Sequence, residues 1–236
     1  MSTAGPATTA RLSRGYNAQT MLMRLLEVAG LICIPTVVSL LVIASPTRRV
    51  VSFFTYYRPV LLLSRPQTIF GSAFYLPNVE MVGLTTVLTV ALFTPYVLAR
   101  GTAWSARVFF TGHVIATLSV AAVVIPGDWA GWRTAIHIAH SGDLGASAGL
   151  AACAGGLAVL IGRRWWWLGG LLLAGLGGYF LQTLLQATRV MDRVAEVEHL
   201  IAMAVGVALE LWWLPRHDGH LWIRHRQRGG VSARRS

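Results

Sequence analysis

The sequence contains no lysine and few charged residues of any kind. Aspartate and glutamate together number nine in 236 residues, and charged residues make up 12% of the chain. Hydrophobic residues make up 55%, and the mean hydropathy is +0.58. This composition excludes an ordinary soluble enzyme and predicts an all-α polytopic membrane protein.

Cysteine is also scarce, since the chain has only Cys33 and Cys153. Both lie in apolar runs, and two such residues provide neither a disulfide framework nor a metal-binding set. We interpret both as small packing residues. We expect the protein to need no metal and no cofactor.

Long apolar runs dominate what is present. Six stretches approach the length that a helix needs to cross the hydrocarbon core of a bilayer. They are residues 28–45, 81–99, 106–126, 144–162, 165–184 and 194–214. We therefore predict one membrane domain over 28–214, preceded by a polar segment (1–27) and followed by a basic tail (215–236). Segment 46–80, interrupted by four prolines, is predicted to be an extracytoplasmic loop with one or more helices lying in the interface.

The placement of arginine predicts the topology. All twenty basic residues are arginines; three precede the first span and the largest cluster follows the last one. By the positive-inside rule, both termini of this multi-pass protein are cytoplasmic, in the cell inner (cytoplasmic) membrane. The tail arginines are placed to contact lipid headgroups, so the net charge of +11 does not indicate a nucleic-acid partner.

The stretch "GDLGASAGLAA" (142–152) carries a G-x-S-x-G pattern centred on Ser147. In the predicted topology Ser147 lies near the outer end of the fourth span, and His199 lies near the outer end of the sixth. At about 1.5 Å of rise per residue, each is roughly 5–10 Å below the start of its helix. A serine nucleophile needs a base within reach, and histidine is the usual one. We predict that Ser147 and His199 form a catalytic pair; the alternative is that Ser147 is one small residue among many where helices pack.

Small residues also predict contact between the two helices that carry this pair. Gly145 and Gly149 are four residues apart, and so are Ala202 and Gly206. Small residues at this spacing let two helix backbones approach closely in lipid. We interpret Asp143, just ahead of the helix, as a cap that accepts hydrogen bonds from the free N–H groups of its first turn.

Four further segments are informative: "GSAFYLP" (71–77), "LARGTAWSARVFF" (98–110), "DLGASAGL" (143–150) and "EHLIAMAVG" (198–206). Together they resemble the rhomboid family of intramembrane serine proteases, and more closely the actinobacterial rhomboid-like membrane proteins. The resemblance implies a six-helix bundle that cleaves transmembrane substrates near their extracytoplasmic end with a Ser–His dyad. It makes Ser147 the nucleophile and His199 the base. It implies transmembrane proteins and membrane lipids as partners.

The chain departs from the rhomboid pattern in the second span. Rhomboid proteases carry a histidine and an asparagine there, four residues apart, which stabilise the oxyanion. Met81 and Thr85 stand at the matching positions. Methionine donates no hydrogen bond and threonine donates one, so Thr85 is a weak oxyanion candidate. The second hypothesis is therefore a catalytically inactive rhomboid-like protein that binds transmembrane segments or lipids.

His113 in "FFTGHVIATL" is the other histidine within the predicted spans. About thirteen residues separate it from the outer end of its span, which places it roughly 20 Å down and well below Ser147. We interpret it as a structural residue that bonds to a neighbouring helix. A transport or catalytic site centred on His113 is the alternative.

Two further polar groups are assigned no role. The segment "HIAHSGD" (137–143) lacks a fourth ligand, so it does not predict a metal site. Glu196 and Glu198 lie beside His199 in sequence, and sequence neighbours do not share a helix face.

Overall fold

The described part of the chain is helical throughout its length. A computed structural model describes residues 22, 23, 25–30, 33, 37, 57–74, 76, 79–141 and 146–217, with side chains to residue 213. After a 3₁₀ turn (Pro59–Leu61), the helices are α1 (Thr68–Ser72), α2 (Val79–Arg100), α3 (Thr102–Trp129), α4 (Arg133–His140), α5 (Ser147–Arg164), α6 (Trp166–Gln186) and α7 (Val190–His217). No strand occurs in these ranges.

Three of these helices, α2, α3 and α6, are long and apolar enough to cross a membrane. They coincide with the predicted spans 81–99, 106–126 and 165–184, so the described part is an all-helical, membrane-embedded protein. The helices α5 and α7 occupy the positions predicted for the fourth and sixth spans. The predicted first span, 28–45, lies almost entirely outside the described residues.

The helices α2 and α3 form a tight hairpin. Gly101 alone separates them, with a φ of 84°, a backbone conformation that residues with a side chain rarely adopt. Within α2, residues Thr89–Phe93 form a π turn ahead of Pro95, which cannot donate a helical hydrogen bond. The sequence ahead of this hairpin was predicted to be an extracytoplasmic loop with one or more helices lying in the interface; its described part contains the Pro59–Leu61 turn and α1.

The buried centre of the bundle is α5. Every residue from Ala148 to Ala158 is buried, and most are alanine or glycine. The small side chains let α2, α3, α6 and α7 approach the backbone of α5. Cys153 lies in this stretch, fully buried and free, as expected for a packing residue; Cys33 is also free but is exposed.

The closest helix contact joins α5 to α7. A Cβ added to Gly206 would overlap the carbonyl oxygen of Ala152, and one added to Gly155 would overlap the carbonyl oxygen of Met203. The two backbones therefore touch with no side chain between them. In lipid, where apolar side chains gain nothing by leaving the solvent, such close packing is a main source of helix association.

The helices α5 and α7 run in the same direction. In the C-terminal halves of both helices, the hydroxyl of Tyr96 lies beside Gly156 of α5, where an added Cβ would be 2.7 Å away, and it donates to Glu210 of α7. Near their N-terminal ends, Ser141 and the first turns of α7 line one cavity. We call these the Glu210 end and the Ser147 end of the bundle.

We expect Gly206→Ala to lower the free energy of unfolding by about 1–3 kcal/mol, because its Cβ must displace the backbone of α5. Gly178→Ala is the matched control, since a Cβ on Gly178 of α6 meets nothing within 4 Å. Thermal unfolding of the two purified variants in detergent measures the difference. Equal stability of the two would contradict the assigned contact.

Candidate active site

Ser147 and His199 lie at the same level of neighbouring helices. Ser147, half-buried, is the first residue of α5 and precedes Ala152 by five residues. His199 precedes Met203 of α7 by four. The contact joins Ala152 to Gly206 and Gly155 to Met203, so at about 1.5 Å per residue Ser147 lies roughly 8–12 Å and His199 roughly 6–11 Å from it, both towards the Ser147 end.

The ring of His199 is held on two sides. Its Nδ1 lies 3.1 Å from Oε2 of Glu196, and its centroid lies 4.8 Å from that of the Phe180 ring of α6. A carboxylate only accepts hydrogen bonds, so Nδ1 carries the hydrogen and donates it to Glu196. The other ring nitrogen, Nε2, is then left as the basic atom.

This contact corrects the sequence-based interpretation that Glu196 has no role. Glu196 and His199 are three residues apart on α7, and residues at this spacing share a helix face. The spacing was the signal that could have identified the pair. Glu198, buried, points to a different side of the helix and lines a cavity.

Within the described residues, no hydrogen bond joins the Ser147 hydroxyl to the His199 ring. The two groups are placed on adjacent helices without being paired. Hydrogen bonds between catalytic groups are often long in the absence of substrate and shorten when it binds.

An apolar cavity of about 50 Å³ lies beside the start of α5. It is lined by Leu150 of α5, by Ala146 directly before α5, and by Thr85 and Thr89 of α2. Thr85, the weak oxyanion candidate, is buried there. It therefore borders the same space as Ala146, the residue next to Ser147.

The other predicted site residues either pack between helices or lie outside the described residues. Gly149 faces α3, where a Cβ would lie 2.6 Å from the ring of Phe109. Ala202 is fully buried, and Gly206 forms the contact with α5 described above. Gly145 and Asp143 lie outside the described residues.

His113 binds a neighbouring helix, as the sequence analysis interpreted. Its Nε2 lies 2.9 Å from the carbonyl oxygen of Ile69 and 3.1 Å from Oγ of Ser72. Since a carbonyl only accepts, Nε2 carries the hydrogen and donates to α1. An Nε2 that donates cannot take a proton from Ser72, so this serine–histidine contact anchors α1 to α3 and does not activate a nucleophile.

Sequence reasoning missed a buried polar cluster at the Glu210 end. Oε2 of Glu210 accepts from the hydroxyl of Tyr96 at 2.6 Å and from Nε1 of Trp104 at 3.1 Å. Oε1 accepts from Nε of Arg100 at 2.5 Å and is ion-paired with the same guanidinium. Glu210 is fully buried. An acidic residue inside an apolar run was the available signal.

Comparison of the chain with family models, with curated proteins and with solved structures gives no match. Among the described residues, no group of three or more histidine, cysteine, aspartate or glutamate side chains is arranged to hold a metal ion. The functional proposal therefore rests on the residues of the site itself.

We expect Glu210→Ala to lower the free energy of unfolding by about 3–5 kcal/mol, because it leaves the Arg100 guanidinium inside the bundle without its acceptor. The double variant Arg100→Met, Glu210→Leu removes both charges and should be more stable than Glu210→Ala. Unfolding in denaturant, followed by tryptophan fluorescence, compares them. A double variant as unstable as the single one would show that the ion pair is not the cause.

Proposed function

We propose that the chain is an intramembrane serine protease of the rhomboid type that cleaves transmembrane substrates near their extracytoplasmic end. The observation that carries the proposal is the placement of Ser147 and His199 at one level of two helices in backbone contact, with Glu196 bound to Nδ1 of the histidine. A serine, a base and a group that orients the base are the parts that nucleophilic catalysis requires.

The proposed reaction starts with proton transfer from the Ser147 hydroxyl to Nε2 of His199. The serine oxygen attacks the carbonyl carbon of the scissile peptide bond, and Glu196 stabilises the imidazolium that forms. His199 then gives the proton to the leaving amine, and an ester between Ser147 and the substrate remains. Water, deprotonated by His199, hydrolyses this ester and regenerates the enzyme.

The start of α5 supplies donors for the oxyanion of the tetrahedral intermediate. The N–H of Leu150 bonds to the carbonyl of Ala146, as the first helical bond of α5. By helix geometry, the N–H groups before Leu150 have no partner within the helix, and the helix N-terminus favours negative charge. With the hydroxyl of Thr85 nearby, these groups replace the donors that the second span lacks.

The proposal places six spans over residues 28–214 in the inner membrane, with both termini cytoplasmic. The Ser147 end is then extracytoplasmic, where water for the hydrolytic step is available. The Glu210 end, with Arg163 and Arg164 at the end of α5, faces the cytoplasm. Only Gly169 of α6 is buried, and the exposed surface of this helix faces lipid.

A second candidate function is a non-catalytic rhomboid-like protein that binds transmembrane segments or lipids. The unpaired arrangement of Ser147 and His199 in the described structure favours it, as does Met81, which donates no hydrogen bond. Under this proposal the bundle keeps the fold, and the polar groups at the Ser147 end serve binding alone.

We expect a fluorophosphonate probe to label the purified protein in detergent and to label neither Ser147→Ala nor His199→Ala. Ser141→Ala is the matched control, because its hydroxyl donates to the carbonyl of His137 at 2.6 Å and it lies outside the proposed dyad. It should label like the wild type. A folded wild type that takes no probe, while a reactive rhomboid protease does so alongside it, would favour the non-catalytic candidate.

We expect Glu196→Leu to slow labelling by about tenfold or more, because His199 loses the acceptor that fixes its tautomer and orientation. Glu196→Gln keeps an oxygen that can accept from Nδ1, so it should restore much of the rate. The measurement is the rate constant of probe labelling for the three proteins. Unchanged labelling by the leucine variant would remove Glu196 from the site.

A further inference from the structure

An open groove of about 460 Å³ lies on the surface of the bundle, where α1 packs against the first third of α3. Its lining consists of Phe70, Phe74, Ala106, Arg107, Phe110 and Thr111. Phe70 is 54% exposed, so much of its ring borders the surroundings of the protein. None of these residues has a part in the reaction proposed above.

Three phenylalanine rings form the apolar surface of the groove. The ring centroid of Phe110 lies 6.3 Å from that of Phe70 and 5.7 Å from that of Phe74. Ala106 lies one turn before Phe110 on the same face of α3, and its methyl group is too small to fill the space beside the rings. The groove therefore suits a slender apolar chain.

Arg107 gives the groove its charge. Among the described residues that line the groove it is the only charged one, and it is exposed. Within the described part of the chain, its guanidinium forms no ion pair. The guanidinium of Arg100, one turn of chain away in the hairpin, is bound to Glu210. An arginine in a membrane-spanning helix is costly without a partner, so Arg107 indicates a ligand of negative charge.

The position of Arg107 along α3 sets its depth in the membrane. The 28 residues of α3 make a helix about 42 Å long, which exceeds the hydrocarbon core of about 30 Å by about 12 Å. Arg107 lies about 7.5 Å from the start of α3, at the Glu210 end, and helical side chains incline towards the N-terminus. Its guanidinium therefore reaches the level of the headgroups, whereas Phe110, about 12 Å from the start, lies among the acyl chains.

This sequence of groups matches a phospholipid. A guanidinium binds phosphate oxygens with two parallel hydrogen bonds, and the rings deeper in the groove can contact the methylene groups of an acyl chain. No carboxylate is among the described lining residues, so an ammonium headgroup would find no acceptor here. The charges favour a lipid that is anionic overall. In the proposed topology this end faces the cytoplasmic leaflet, where anionic lipids attract arginine.

We propose that the groove between α1 and α3 binds one anionic phospholipid, with its phosphate on Arg107 and an acyl chain against Phe70, Phe74 and Phe110. The inference goes beyond the proposed function and does not depend on it, because the site involves neither Ser147 nor His199. The bound lipid joins α1 to α3 from the membrane side, in addition to the contact that His113 makes inside the bundle.

The test compares two lipids with identical acyl chains on the purified protein in detergent. Native mass spectrometry gives dissociation constants for phosphatidylglycerol, which is anionic, and for phosphatidylcholine, which is zwitterionic. The wild type should bind one phosphatidylglycerol about fivefold or more tightly than one phosphatidylcholine, as expected for one arginine facing an anionic lipid. Arg107→Gln should reduce this preference to less than about twofold.

Arg164→Gln is the matched control for charge. Arg164 is an exposed arginine at the same end of the bundle, but it lies outside the groove, with its guanidinium carbon 5.6 Å from the centroid of the Trp165 ring. This variant should keep the full preference. Equal affinities of the two lipids for the wild type would overturn the inference. An equal loss of preference in Arg107→Gln and Arg164→Gln would also overturn it, because any arginine at this end would then suffice.

Ala106→Leu tests the apolar part of the groove while Arg107 stays in place. The larger side chain occupies the space beside the rings, so the affinity for phosphatidylglycerol should fall by about threefold or more. Ala174→Leu, on the exposed surface of α6, is the matched control and should bind like the wild type. An unchanged affinity in Ala106→Leu would overturn the assignment of the acyl chain. If Ala106→Leu does not fold, the lipid pair and the arginine variants still decide the question.

The same spectra test two other occupants. Inorganic phosphate at millimolar concentration should not displace the lipid, and displacement would reduce the site to an anion contact and overturn the inference. A dimer that Ala106→Leu abolishes, found together with equal affinities for the two lipids, would assign the groove to a second copy of the chain and overturn it as well.

Discussion

The backbone contact between α5 and α7 sets the geometry of the proposed site. At Ala152 and Gly206 the two helices touch without intervening side chains, so their separation is fixed by main-chain atoms. Any larger residue would push the helices apart and carry Ser147 away from His199. The small residues that crowd α5 thus have a purpose beyond filling the core, since they determine how near the two candidate groups can come.

The two ends of the bundle are organised differently. At the Glu210 end, one carboxylate accepts hydrogen bonds from side chains of α2 and α3. Side chains close this end, including the rings of Trp104 and Trp213, whose centroids are 4.0 Å apart. A buried carboxylate tolerates few alternative arrangements of its partners, so this cluster fixes the register of three helices. The Ser147 end contains both cavities described above and the partly buried polar groups. Stability and the candidate chemistry are thereby separated along the long axis of the bundle.

Hydropathy was sufficient to place α2, α3 and α6, because a bilayer imposes a minimum length and an apolar composition on every helix that crosses it. The rise of a helix per residue predicts similar depths for Ser147 and His199 within their helices. Contacts between segments that are far apart in the sequence cannot be predicted from hydropathy or from helix rise. Glu210 meets Tyr96 across 114 residues of sequence, and the cavity beside Ser141 and the first turns of α7 draws its walls from four segments. The contact of Glu196 with His199 differs, because their i,i+3 spacing on one helix is visible in the sequence.

The packing of α2 is uneven along its length, and this has a mechanical consequence. Tyr96 and Val97 are fully buried, whereas in Val79–Leu88 only Thr85 is buried, and Val79, Leu84 and Val87 are more than half exposed. The π turn at Thr89–Phe93 lies between the two halves and breaks the regular hydrogen-bond ladder there. A helix clamped at one end and weakened in the middle pivots at the weak point. The N-terminal half of α2 is therefore the part of the wall beside Ala146 that is displaced at least cost, because only Thr85 of its side chains between Val79 and Leu88 is buried.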